Sequence, residues 1–173
     1  MAKKSIVFIT GFMGCGKTTY GKQIAKALGY HFIDLDNYIM QEHDQSILDM
    51  FKELGETAFR KLEAEALATC IAENDKTIIA LGGGTPCYAN NLEELKKNGF
   101  IIYIKLDAKI LFERLEKDKE SRPLITEKEK EELKQYIVQL LQQREPIYSQ
   151  AHLTVDGSKM NIDAIKASIL EVF

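Results

Sequence analysis

The sequence has no excess of positive charge: 23 Lys and Arg stand against 26 Asp and Glu, a formal net charge of -3. Binding along a nucleic-acid backbone calls for a basic face or stripe, so nucleic acid is not an expected partner and any phosphate binding has to be local. Cysteine is scarce as well. Cys15, Cys70 and Cys87 form no C-x-x-C pair, and His31, His43 and His152 are scattered without metal-ligand spacing, so neither a disulfide framework nor a zinc site is indicated. Long apolar runs are also missing. Behind the basic start Met1-Ala2-Lys3-Lys4, the run 6–9 is too short for a signal-peptide core or a membrane span. With 45% hydrophobic and 28% charged residues in a chain of 173, the expectation is a soluble, cytoplasmic, monomeric protein without a membrane partner, folded as one domain over residues 1–173.

What is present is an alternation of short apolar runs with helical patterns. Ser5-Ile6-Val7-Phe8-Ile9-Thr10 is β-branched and apolar and stops at Gly11, a buried strand feeding a glycine turn. Residues 18–28 then place Tyr20, Ile24, Ala27 and Leu28 at helical spacing, with Gly29 as the stop. Further strands are predicted at 31–35, 77–81, 100–106 and 152–155. Between and after them run helical stripes: Ile47, Met50, Phe51 and Leu54; Phe59, Leu62 and Ala66 running into 67–71; and Ile162, Ile165 and Ile169. Short buried strands alternating with helices predict an α/β fold, a parallel sheet covered on both faces, with ligands at the carboxyl ends of the strands. The densely charged segment 116–132 reads either as a solvated helix-loop-helix surface or as a mobile lid.

The stretch Gly11-Phe12-Met13-Gly14-Cys15-Gly16-Lys17-Thr18 satisfies G-x-x-x-x-G-K-[ST] between a predicted strand and a predicted helix. Glycines let successive N–H groups point into one concavity, the helix N-terminus adds its positive end, and Lys17 reaches the outer phosphates. Gly14, Cys15, Gly16, Lys17, Thr18 and Thr19 are the expected phosphate-binding set, and the Thr18 hydroxyl can serve Mg²⁺. Cys15 sits where its thiol pKa could fall, or it simply fills a tolerant position. Met13 either faces a substrate or packs on the core.

No N-K-x-D guanine-reading motif follows. Instead Asp34-Leu35-Asp36 closes the second predicted strand, where alternation puts both carboxylates on one side; in isolation the pair reads equally well as a helix N-cap and a solvated turn acid. Further along come Phe59-Arg60-Lys61-Leu62-Glu63, Gly82-Gly83-Gly84, Arg122-Pro123-Leu124 and Arg144-Glu145-Pro146-Ile147-Tyr148. From Ser5 to Tyr148, in order and spacing, this ensemble resembles shikimate kinase. Gluconate kinase shares the loop and an acidic pair but not the triple glycine together with Arg60, Arg122 and Arg144.

The resemblance implies a P-loop kinase fold, a five-stranded parallel sheet with helices on both faces and a mobile lid at about 116–132. It implies transfer of a phosphoryl group from ATP, with Mg²⁺, to the 3-hydroxyl of shikimate. Lys17, Asp36 and Arg122 are the implied catalytic residues, with Asp36 on the shikimate hydroxyl and Arg122 brought by the lid onto the transferring phosphate. Arg60, Gly82, Gly83, Gly84 and Arg144 would bind the rest of the substrate. Asp34 would support Mg²⁺ through water beside Thr18, and Arg114 would stack on adenine. Physical chemistry agrees, since a carboxylate substrate calls for forked, permanently charged arginines and a bare glycine strand end lets a ring approach the backbone. Each feature also has a plainer reading: Arg60 pairing with Glu56 or Glu63 on its own helix, Arg144 complementing a helix C-terminus, the triple glycine as a turn. The alternatives for the whole chain are a kinase of another hydroxy acid such as gluconate, and a non-catalytic nucleotide-dependent interaction protein. One departure from the family's pattern is the loop Asp156-Gly157-Ser158-Lys159-Met160, which lacks a proline to cover adenine.

Overall fold

The computed structural model describes residues 4–118 and 125–173. Five strands, β1 (Ile6–Thr10), β2 (His31–Asp34), β3 (Thr77–Ala80), β4 (Phe100–Lys105) and β5 (Leu153–Asp156), form one sheet in the order β2-β3-β1-β4-β5. Every neighbouring pair is parallel. These are the five predicted strands, with ends shifted by at most one residue.

Alternation along the strands divides the core between two faces. Val7 and Ile9 join an apolar cluster with Ile24, Leu111 and Ile165, whereas Ile6 and Phe8 join another with Leu35, Phe59 and Leu95. Helices α1 (Lys17–Leu28), α5 (Ala108–Lys117), α6 (Lys130–Tyr148) and α7 (Ile162–Leu170) build the first cluster; α2 (Leu35–His43), α3 (Ile47–Glu73) and α4 (Asn91–Asn98) build the second. A central parallel strand covered on both faces is buried throughout, which is why β1 is apolar from Ile6 to Ile9, with Thr10 buried at its carboxyl end. α1 stops where Gly29 turns left-handed (φ 69°) and its N–H reaches the last carbonyls of the helix. α3 is interrupted at Gly55 (φ 76°, ψ 165°), the boundary between the two apolar stripes read from the sequence.

One local expectation changes. Alternation carried the second strand through Leu35, but β2 ends at Asp34 and α2 starts at the next residue. Asp34 is the N-cap: its backbone is still extended, and Oδ1 accepts the Asn37 N–H at 3.2 Å. A cap that satisfies an orphan helix donor ends the strand there, so Asp34 and Asp36 are brought together by a helix N-terminus and not by the pleat of a strand.

At the junction of α4 and β4, Gly99 lies against the central strand. A Cβ at this position would fall on the Ile6 carbonyl oxygen and 2.7 Å from Cε2 of Phe8. Both groups belong to β1 and have no room to yield. Gly99→Ala is therefore expected to lower the unfolding free energy by about 1–3 kcal/mol, read as a lower urea midpoint at unchanged m-value; an unchanged midpoint contradicts the packing described.

Candidate active site

Residue 16 needs glycine for two separate reasons. Its backbone is left-handed (φ 101°), and the Tyr20 ring lies 2.8 Å from where a Cβ would stand. The first-turn N–H groups of α1 consequently open onto a loop of bare backbone, the arrangement that receives phosphate. Lys17 Nζ is held at this loop by the carbonyls of Gly11 (2.9 Å) and Phe12 (3.0 Å). Thr18 Oγ1 donates to Asp34 Oδ2 at 2.5 Å, which ties the start of α1 to the end of β2. The Cys15 side chain is fully buried in the core, its N–H bonds to the Phe12 carbonyl at 3.2 Å, and its sulfur lies 3.9 Å from Lys17 Nζ.

At the carboxyl ends of the strands lies a cleft of about 760 Å³. Its walls include Gly14, Gly16, Lys17, Thr18 and Thr19 from the loop side, Asp34 and Asp36 from the start of α2, and Arg60, Gly82, Gly83, Gly84, Arg114 and Arg144. Met13 lines it too. Arg122 lies outside the described residues.

The plainer reading of Arg60 holds, yet does not remove it from the cleft. The residue is 8% exposed, and its guanidinium pairs with Glu63 at 2.9 Å and Glu56 at 3.4 Å and lies over the rings of Phe51 and Phe59. Glu63 is the residue that sequence reasoning passed over as a mere helix partner. It is 1% exposed and accepts the Thr85 hydroxyl at 2.7 Å with the oxygen that Arg60 leaves free. The available signal was positional: Phe59, Glu63, Leu67 and Cys70 form the buried stripe of α3, and an acid in an apolar stripe needs a buried partner.

The triple glycine is more than a turn, because charged groups pack where its side chains would be. A Cβ on Gly82 would stand 2.5 Å from Glu63 Oε1 and 2.8 Å from Thr85 Oγ1, one on Gly83 would stand 3.3 Å from Arg144 Nη1, and one on Gly84 would collide with the Arg60 guanidinium. Arg144 is 8% exposed, and its Nη1 is one of two buried side-chain polar atoms without a hydrogen-bond partner among the described residues. It forms no ion pair with an acid among them either, and its guanidinium lies 5.9 Å from the centre of the Phe12 ring. Since α6 runs on to Tyr148, this cation does not serve the helix end. A buried guanidinium with an unfilled donor is a standing demand for an anion.

Asp36 faces the opposite problem. Burial comes first, followed by the charges of Glu63 and Asp34, in pushing its pKa up from 3.8 to about 6, against the opposing pull of Lys17 and Arg60. A carboxyl poised near neutrality beside a phosphate loop is suited to receive a hydroxyl proton. Arg114 reaches across from α5 and donates to the Gly14 carbonyl at 3.1 Å. Beyond it, the proline-less loop after β5 is tied to itself, Asp156 Oδ1 accepting both the N–H (2.8 Å) and the hydroxyl (2.6 Å) of Ser158, and Tyr20 donates to the Gly157 carbonyl at 3.4 Å.

A phosphate loop at the end of β1, a partly buried carboxyl whose pKa is raised toward neutrality and a buried guanidinium with an unfilled donor beside bare glycines fit a P-loop kinase that phosphorylates a small anionic alcohol. Comparison with known proteins narrows this class. The family model for shikimate kinase matches residues 13–173. The shikimate kinase of Parabacteroides distasonis is 41% identical over 154 residues, covering 89% of this chain and 88% of that protein. The crystal structure of shikimate kinase from Bacteroides thetaiotaomicron superposes with a TM-score of 0.87 at 35% identity over 97% of both chains. That of Acinetobacter baumannii shikimate kinase in complex with shikimate gives 0.86 at 30% identity, over 99% of this chain and 93% of that one. The chain belongs to the shikimate kinase family.

The raised pKa of Asp36 has a consequence for stability. The folded-state value of about 6 exceeds the ordinary 3.8, so the native state holds this proton more tightly, and the group's contribution declines as pH rises through that window. Asp36→Asn, which cannot ionise, is expected to gain stability relative to the wild type across pH 4–6, reaching at most about 3 kcal/mol above pH 6 and nearly nothing at pH 3.5. Urea unfolding at the two extremes checks it; a variant less stable at pH 8 contradicts the repulsion described.

Proposed function

We propose that this enzyme transfers the γ-phosphoryl group of ATP to the 3-hydroxyl of shikimate, giving shikimate 3-phosphate for aromatic amino-acid biosynthesis, with the roles divided as follows. ATP lies with its phosphates on the loop 11–18 and its adenine beside Arg114. The substrate carboxylate occupies the space between Arg144, Arg60 and Gly83, so the hydroxyl to be phosphorylated points at Asp36. Asp36 orients that hydroxyl and accepts its proton as the oxygen–phosphorus bond forms and the bond to ADP breaks. Lys17 neutralises charge spreading over the phosphoryl oxygens. The observation that carries this reading is the buried Arg144 Nη1, a charged donor with no partner beside the bare Gly83.

The Thr18 hydroxyl and the Asp34 carboxylate, 2.5 Å apart, are a hard-oxygen pair that fits Mg²⁺, an ion that takes one or two protein ligands with phosphate and water oxygens. Bound there, it would neutralise charge on the phosphates. Arg122, in the charged segment 116–132, keeps the role that the family resemblance implies, closing as a lid on the transferring phosphoryl group and excluding water. The chain works as a single domain over 1–173 and as a monomer in the cytoplasm. Among the described residues no helix is long and apolar enough to cross a membrane.

Steady-state kinetics with shikimate, its methyl ester and gluconate test the reading. ADP release should depend on added shikimate, and the ester should be a poor substrate because the guanidinium groups are desolvated without an anion. Arg144→Ala should lose roughly tenfold to a hundredfold in kcat/KM for shikimate with the KM for ATP nearly unchanged, from the loss of a hydrogen-bonded charge. An ester used as well as the acid, or gluconate preferred to both, overturns the substrate assignment. Nucleotide binding without turnover of any acid favours the interaction protein instead.

A further inference from the structure

Arg144 is carried by a turn of α6 that the helix itself holds poorly. Pro146 lies inside α6 and has no N–H to offer the Gln142 carbonyl four residues back. Side chains secure this turn instead. Glu145 accepts the Tyr103 hydroxyl at 2.5 Å and the Lys105 ammonium at 2.6 Å, both from β4. Tyr148, one helical turn beyond Arg144 and so on the same face, is 1% exposed and donates its hydroxyl to the Gly83 carbonyl at 2.5 Å. Its ring tilts against that of Tyr103, with centroids 5.1 Å apart. A buried phenol hydroxyl needs a partner, and this one takes it across from the helix, at the glycine strand end.

We infer that Tyr148 is a positioning residue for the substrate's anionic group: its bond to the Gly83 carbonyl, with Glu145 anchored on β4, fixes the spacing between Gly83 and the Arg144 guanidinium that together receive a carboxylate. The inference rests on the carboxylate reading of Arg144 given above. Two parts of one subsite come from distant stretches of chain, and Tyr148 is the strut that gives them a common frame. Burial holds the phenol pKa above its ordinary value, so the strut remains a neutral donor at working pH.

The discriminating readout is the ratio of kcat/KM for shikimate to that for its methyl ester. A merely structural tyrosine, when removed, lowers both values together and leaves the ratio alone. Loss of alignment at the anion subsite lowers the acid selectively. Tyr148→Phe keeps the ring and deletes the bond; the expected result is a KM for shikimate raised roughly tenfold, a KM for ATP within about twofold, and an acid-to-ester ratio reduced by roughly tenfold. Glu145→Gln, at a more exposed position, weakens the anchor from the other side and should move the ratio in the same direction, which keeps the test decisive if the phenylalanine variant folds poorly. If the wild type fails to distinguish acid from ester, the carboxylate reading falls. If the wild type discriminates and both variants keep its ratio, the positioning role alone falls.

Discussion

The cleft depends on burying opposite charges against a strip of backbone that has no side chains. Arg60 and Glu63 meet at 2.9 Å, and Gly82 and Gly84 stand where any Cβ would push them apart. Moving either charge out of water costs several kcal/mol, and only close pairing with further hydrogen bonds offsets it. Glu63 meets that condition through Arg60 and Thr85, and Arg60 meets it through Glu63 and Glu56. Asp36 and Arg144 do not. One is a carboxyl whose neighbours include two like charges, the other a guanidinium with an unfilled donor, so the unbalanced groups stand where chemistry and recognition are assigned.

Sheet order converts this local balance into a site. With β1 between β3 and β4 and β2 at the edge beside β3, the phosphate loop, the glycine strand end and the acidic cap of α2 emerge side by side at one end of the sheet. The contact is direct: a Cβ on Gly83 would stand 3.3 Å from the backbone nitrogen of Met13 in the loop. In the proposed reading, phosphate donor and substrate carboxylate are thereby referred to the same strands, which favours the alignment that phosphoryl transfer needs most.

Strand positions and the phosphate loop were legible because their signals are local: β-branched runs ending at glycine, and a spacing of glycines and lysine that only one turn geometry serves. The acidic pair was legible as residues but not as geometry, since the switch from β2 to α2 happens at a single position and Asp34 serves as cap and Thr18 partner at once. Arg60 showed the converse. Its pairing with Glu56 and Glu63 on its own helix does not take it away from the cleft, because that pairing holds the guanidinium at the cleft wall. Glu63 is legible only as a helix partner of Arg60 and Tyr148 only as a motif residue, because their further contacts are with residues 22 and 65 positions away, which no local pattern encodes. Cys15 lies beside the Lys17 ammonium, as its place in the loop suggested, but its side chain is buried in the core beneath the loop, which no local pattern showed.

Under the proposed role of Asp36 as proton acceptor, its burial and the charges around it set the acid limb of kcat/KM, whose pH dependence reports groups of the free enzyme. The wild type should lose activity with unit slope below an apparent pKa of about 6. Glu63→Gln removes a neighbouring negative charge and should shift this limb to lower pH while activity at its plateau falls with the disturbed Arg60. A limb that stays in place in Glu63→Gln, or a wild-type profile flat down to pH 4.5, would contradict the claim.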